Sequence, residues 1–234
     1  MKENILEIKN LSKNYYIHHN DRIIDACKDI SFSVGKGEFI GITGKSGSGK
    51  TTILKNIYRT NSPQGGSILY NSEKYGIIDL AKADEQKIIY LRKYEIAYVS
   101  QFLRILPRIT AFRSVIQEVL KVTDNNEKAK EEAEYILDYF EVDRKLWDVY
   151  PNSFSGGEKL RLNIAMAMVK KPRLLLLDEP TASLDYGNKL KVKELIMQLK
   201  KEGCTMIGIF HDLEFMDGVC DYEFNMEKGV IKNN

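Results

Sequence analysis

The stretch "EFIGITGKSGSGKTTILKNIY", residues 38–58, decides the fold. A branched apolar run breaks into closely spaced glycines, and the chain then resumes as a helix-forming segment. Within it, "GKSGSGKT" (44–51) has the spacing G-x-x-x-x-G-K-S/T, with a strand-like run before it and a helical one after. Glycines let the backbone wrap tightly enough for several N–H groups to converge on an anion. One helix terminus gives a bound anion only ~0.3–1 kcal/mol, so such a loop relies on many donors and a cation. Lys50 supplies the cation at the β and γ phosphates, and the Thr51 hydroxyl is a ligand for Mg²⁺. The candidate phosphate-binding residues are therefore Gly44, Lys45, Ser46, Gly47, Ser48, Gly49, Lys50, Thr51 and Thr52.

A second element fits the first. "RLLLLDEP" (173–180) reads as a buried strand that ends on two acids. Asp178 is placed to reach the metal through water, and Glu179 to polarise the water that attacks the γ-phosphate. Alone, such a strand is as easily one that ends in an exposed acidic turn. Beside a phosphate loop, the catalytic reading is the stronger.

The runs "FIGIT" (39–43), "IAYVS" (96–100), "LLLL" (174–177) and "MIGIF" (206–210) are continuously apolar, as strands covered on both faces are. Amphipathic helices are predicted over Glu127–Phe140 and Lys189–Glu202, the latter stopped at Gly203. Asp124 and Glu127 have the spacing of a capping box. The N-terminal segments "ILEIKNLSKNYY" and "IIDACKDISFSV" are strand-like and lead to the turn "GKGE". The expected architecture is α/β: a phosphate-loop, RecA-like core, an antiparallel N-terminal sheet and an inserted helical subdomain. Residues 1–101 and 160–234 form the core of this single domain (1–234), and 102–159 the helical part.

Composition narrows the partners. The 234 residues carry 35 Lys+Arg against 33 Asp+Glu, a formal charge of +2, which gives no reason to expect nucleic acid. No run reaches the roughly 18–20 apolar residues of a membrane-spanning helix, and "MKENILEIKN" lacks the apolar core of a signal peptide. Three cysteines without C-x-x-C spacing suit a cytoplasmic protein with no direct membrane insertion.

A second glycine pair, "NSFSGGEKLRLNIAMAM" (152–168), opens another helical segment. Ser155 is placed to cap that helix, while Gly156 and Gly157 let backbone approach an anion. One nucleotide needs one cradle, so the second requires a reason. "FSGGE" resembles the signature motif of the ATP-binding-cassette (ABC) ATPases, and the resemblance spans nearly the whole chain in the family's order. Tyr15 in "LSKNY" falls at the adenine-stacking aromatic, although Tyr16 adjoins it and a packing role is equally open. Gln101 matches the Q-loop, "LLLLDEP" the acidic strand, "ASLD" (182–185) the D-loop and His211 the switch histidine.

The resemblance implies ATP and Mg²⁺ as ligands and a head-to-tail dimer, with itself or a related ABC ATPase. Phe154, Ser155, Gly156, Gly157, Glu158 and Asp185 then serve the partner's nucleotide. Glu179, His211 and Gln101 are the implied catalytic residues, and Thr51, Gln101 and Asp178 the metal set. As a lone residue His211 reads as a surface histidine, and His18 and His19 as a solvated loop. Met166 stands where the helix after the signature usually carries arginine.

"VSQFLRILPRITA", with "NIYRTNSPQGGSI", "KLWDVYPNSFSGGE" and "IGIFHD", is also similar to the ATP-binding subunit of the phosphonate carbon–phosphorus (C–P) lyase system. That implies work with a soluble C–P lyase core complex, in forming a ribose alkylphosphonate triphosphate from ATP. The alternative is the nucleotide-binding subunit of a transporter of the lipoprotein-release or macrolide-exporter type. In a third reading the chain is an ATP-dependent clamp in which assembly matters and turnover is incidental.

Overall fold

The computed structural model describes residues 3–17, 21–100, 108–182, 184–210 and 213–232. Its elements in chain order are β1 (Asn4–Ile17), β2 (Arg22–Gly35), β3 (Phe39–Thr43), α1 (Lys50–Ile57), β4 (Gly65–Ser72), β5 (Gly76–Asp79), α2 (Glu85–Tyr94) and β6 (Ile96–Val99). There follow α3 (Ala111–Leu120), α4 (Asn126–Tyr139), α5 (Gly156–Met168), β7 (Leu174–Asp178), α6 (Tyr186–Lys201), β8 (Thr205–Ile209), α7 (Leu213–Met216), β9 (Tyr222–Glu227) and β10 (Val230–Lys232).

The four apolar runs all become strands of one six-stranded sheet, ordered β10-β9-β3-β8-β7-β6. Its strands run parallel except for β10. Side chains alternate across a strand, and both faces here are covered. Leu175 and Leu177 enter a core shared with α3, α4, α5 and α6. Leu174 and Leu176 enter a second core, shared with α1, α2 and the other sheet. That division explains why four consecutive leucines are tolerated: each is fully buried, a contribution of about 1.5–3 kcal/mol apiece.

The second sheet is antiparallel, ordered β2-β1-β4-β5. Within the antiparallel N-terminal sheet expected, β1 and β2 form a long hairpin, paired from Asn4↔Gly35 to Ile17↔Arg22. β4 and β5, which none of the strand-like runs picked out in the sequence covers, join it on the other side of β1. In β4 the burial alternates residue by residue over its second half, the period-2 pattern of a half-covered strand.

Between the described residue 108 and α5 the chain holds α3, α4 and two short 3-10 turns. Residue 160 falls inside α5, so this continuous helix spans the sequence-drawn boundary between 159 and 160. α4 begins at Asn126 and not after Asp124: the Asn125 side chain accepts from the N–H groups of Glu127 and Lys128 and is the cap. The predicted helix over 189–202 is α6, and Gly203 follows it with φ +83°.

Candidate nucleotide-binding site

The loop between β3 and α1 is shaped by two glycines. Gly49 has φ 104° and lies so close to β2 that a Cβ would sit 1.8 Å from the Ala26 carbonyl oxygen. Gly44 has φ 133°, and its Cβ would stand 2.1 Å from the Met226 oxygen. No other residue type fits either position. The turn delivers the start of α1, whose first N–H groups have no acceptor within the helix, into the loop's mouth. Gly49 occupies the N-cap without a side-chain cap, which leaves those donors for an anion.

Lys50 is buried to 4% exposure, and its ammonium donates to the loop's own carbonyls, Gly44 O at 2.7 Å and Lys45 O at 3.0 Å. Burial lowers its pKa, while the nearby carboxylates of Glu179 and Asp178 raise it. Ser48 Oγ, inside the loop, is buried with no hydrogen-bond partner among the described residues. Such an orphan costs about 1–3 kcal/mol, and an anion in the loop would relieve it.

Opposite the loop, β7 ends on Asp178. The order β3-β8-β7 puts one strand between the phosphate loop and the acidic strand. Asp178 is therefore one strand-width away and still within reach of α1. Thr51 Oγ1 donates to Asp178 Oδ1 at 2.9 Å, and the Tyr98 phenol donates to Oδ2 at 2.5 Å. This hydroxyl–carboxylate pair is an oxygen-only donor set, the kind Mg²⁺ takes together with phosphate oxygens and water. No cluster of three or more His, Cys, Asp or Glu occurs among the described residues to compete for a metal.

Glu179 follows at φ 51°, a left-handed conformation unusual for glutamate. Its N–H donates to Ile209 O at 3.2 Å, tying the turn to β8. A conformation of this kind stores of order 1–3 kcal/mol and tends to occur where a side chain must be aimed.

The second glycine pair does open a helix. Ser155 is the N-cap of α5 in a full capping box: Ser155 Oγ accepts from Glu158 N–H, and Glu158 Oε2 accepts from Ser155 N–H at 2.7 Å. Accepting that bond leaves the hydroxyl's own proton for an outside acceptor. Ser155 and Gly156 are exposed, whereas Gly157 is buried and Phe154 points into the core at 4% exposure.

Gly157 packs against Asn188 so closely that a Cβ there would lie 2.5 Å from Asn188 Oδ1. Asn188 is in turn held by Asp185, the N-cap of α6, through 3.0 Å and 2.6 Å hydrogen bonds. Those bonds, the backbone one foremost, keep the Asp185 carboxyl below its usual range. Gly157 of "SGG" and Asp185 of "ASLD", 28 residues apart in sequence, are thus linked through Asn188 within one chain.

Tyr15 pairs across the hairpin with Ile24, two residues from the Ala26 that backs Gly49. It is partly exposed, and its hydroxyl accepts from Asn61 Nδ2 at 2.6 Å. Tyr16 is more exposed and donates instead to Asp21. Gln101, His211, His18, His19 and most of the segment 100–112 lie outside the described residues. Two members of the site escaped the sequence reading, Tyr98 and Asn188. For Tyr98 a signal existed, since a phenol inside a buried strand needs a polar partner.

The model of the ABC transporter family matches residues 27–182, more than half of the sequence. The chain belongs to the ABC transporter family. It is an ABC ATPase, binding ATP with Mg²⁺ and hydrolysing it. Among curated ABC relatives it is 34% identical over 190 residues to the lipoprotein-releasing system ATP-binding protein LolD of Aquifex aeolicus (strain VF5), covering 81% of this chain and 82% of that one. It is 33% identical over 232 residues to the L-cystine import ATP-binding protein TcyN of Bacillus subtilis (strain 168), covering 97% and 84%. The ABC cassette fold matches the dimeric post-hydrolysis structure of the ATP-binding cassette MJ0796 bound to ADP and Pi, with a TM-score of 0.87 and 26% identity over 97% of both chains.

Proposed function

We propose that this ABC ATPase pairs head to tail, with a second copy or a related ATPase, and drives a membrane transport assembly from its cytoplasmic face. Kinship carries the transport reading. LolD and TcyN are named as ATP-binding proteins of a lipoprotein-releasing system and of L-cystine import, and both are matched along most of their length. The structure adds a cavity of about 790 Å³ beside Asp178 and Glu179, walled by α1 and α2 residues on one side and by α3 and α5 on the other. A partner seated there would touch both the core and the helices.

In this reading Lys50 and the loop 44–52 hold the phosphates, while Tyr15 stacks on adenine. Thr51, Asp178 and Gln101 serve Mg²⁺. Glu179 polarises the attacking water, with His211 at the γ-phosphate. Ser155, Gly156, Gly157, Glu158 and Asp185 close over the partner's ATP, Phe154 acting only through its backbone because its side chain is buried. The exposed Ser155 hydroxyl, with its proton unspent, supports the trans role.

A second reading rests on the four stretches similar to the C–P lyase subunit, in which the partner is a soluble phosphonate-processing complex. Affinity purification separates the two. The transport reading expects a detergent-solubilised permease to accompany the tagged protein. Soluble phosphonate enzymes in its place, with growth on methylphosphonate lost on deletion, would overturn the transport reading and establish the second.

A further inference from the structure

Asp178 is gripped from two sides. Thr51 takes Oδ1, and Tyr98, from the neighbouring strand β6, takes Oδ2 at 2.5 Å. The register explains the reach. Tyr98 lies opposite Leu176 in the parallel pair, so its side chain leans along the strands toward the end of β7, two residues on.

The ring is itself anchored. It packs on Tyr58 with centroids 5.2 Å apart. The Arg92 guanidinium covers Tyr58 at 4.8 Å, and Arg92 Nε donates to the Tyr58 carbonyl at 2.8 Å. Tyr58, Arg92 and Tyr98 all line the large cavity, so the phenol stands between that cavity and the acidic strand end.

A carboxylate serving a hard cation works best when one oxygen is already committed and the other is aimed. Hydrogen bonds from outside the coordination sphere do this, and losing one costs about 10–100-fold in metal affinity. With Oδ2 occupied by the phenol, Oδ1 is the oxygen turned toward the Thr51 hydroxyl. We infer that Tyr98 is a positioning residue for the metal: it holds Asp178 by Oδ2 and presents Oδ1, with Thr51, to Mg²⁺. The inference rests on reading Thr51 and Asp178 as the metal residues.

Tyr98→Phe removes the hydroxyl and keeps the ring stack on Tyr58. Calorimetric titration of Mg²⁺ into the ATP-loaded protein should show half-saturation raised about 10-fold. ATP affinity in EDTA should stay at the wild-type value, and the protein should remain folded with a melting temperature lowered by at most a few degrees. Half-saturation equal to wild type overturns the inference. An equal loss of ATP affinity in EDTA also overturns it, since the phenol would then support the nucleotide pocket in general. A wild-type protein whose ATP complex shows no Mg²⁺ dependence would overturn the metal reading of Thr51 and Asp178, and the inference with it.

Discussion

Glu179 combines two features at one residue: a left-handed φ of 51° and a backbone tie to β8. Such a turn aims a carboxylate from the end of a rigid strand, which suits the base proposed here. Glu179→Gln keeps size and shape while removing the charge. We predict that it lowers ATP turnover about 10²–10⁴-fold, the range for a lost general base. ATP affinity measured by calorimetry should change little. Turnover retained at the wild-type rate would remove Glu179 from the chemistry. Residues of this kind stood out as candidates because motif spacing marks them, as with Lys50, Thr51 and Asp178. Tyr98 and Asn188 were not, since each acts through a neighbour that only the fold supplies: one across two strands, the other between α5 and α6.

At the scale of elements, the buried parallel strands stood out because coverage on both faces leaves few polar residues in them. Antiparallel β4 and β5 did not, for half-covered strands dilute the apolar signal with surface residues. The start of α4 shows a finer limit. "TDNNE" offers several capping side chains in a row, and spacing to Glu127 favours Asp124. Geometry selects Asn125, whose Oδ1 lies 3.0 Å and 3.1 Å from two orphan N–H groups. Asn125→Ala should therefore cost about 1 kcal/mol in chemical denaturation. Asp124→Ala should fall within roughly 0.5 kcal/mol of wild type, as for an ordinary surface substitution. The reverse ranking would return the cap to Asp124.

For the whole molecule, two sheets and a helical layer put the phosphate loop and the "SGG" helix start in one chain with different surroundings. The loop adjoins β2, β9 and the acidic strand end, whereas Ser155 is exposed and Gly157 locked to the α6 cap. The order of motifs along the sequence made the family legible. Which assembly the ATPase serves was less so, because docking depends on surface, and surface residues are free to vary.

In the proposed pairing each triphosphate is enclosed by two protomers, with Ser155 acting on the ATP of the other. Light scattering of the Glu179→Gln protein, with and without an added Ser155→Arg change, tests it most directly. With saturating MgATP, the single variant should run as a dimer. The double variant should stay monomeric while binding ATP almost as tightly as the single variant's monomer. ATP-dependent dimers of the double variant, or a collapse of its monomeric ATP affinity, would contradict the account.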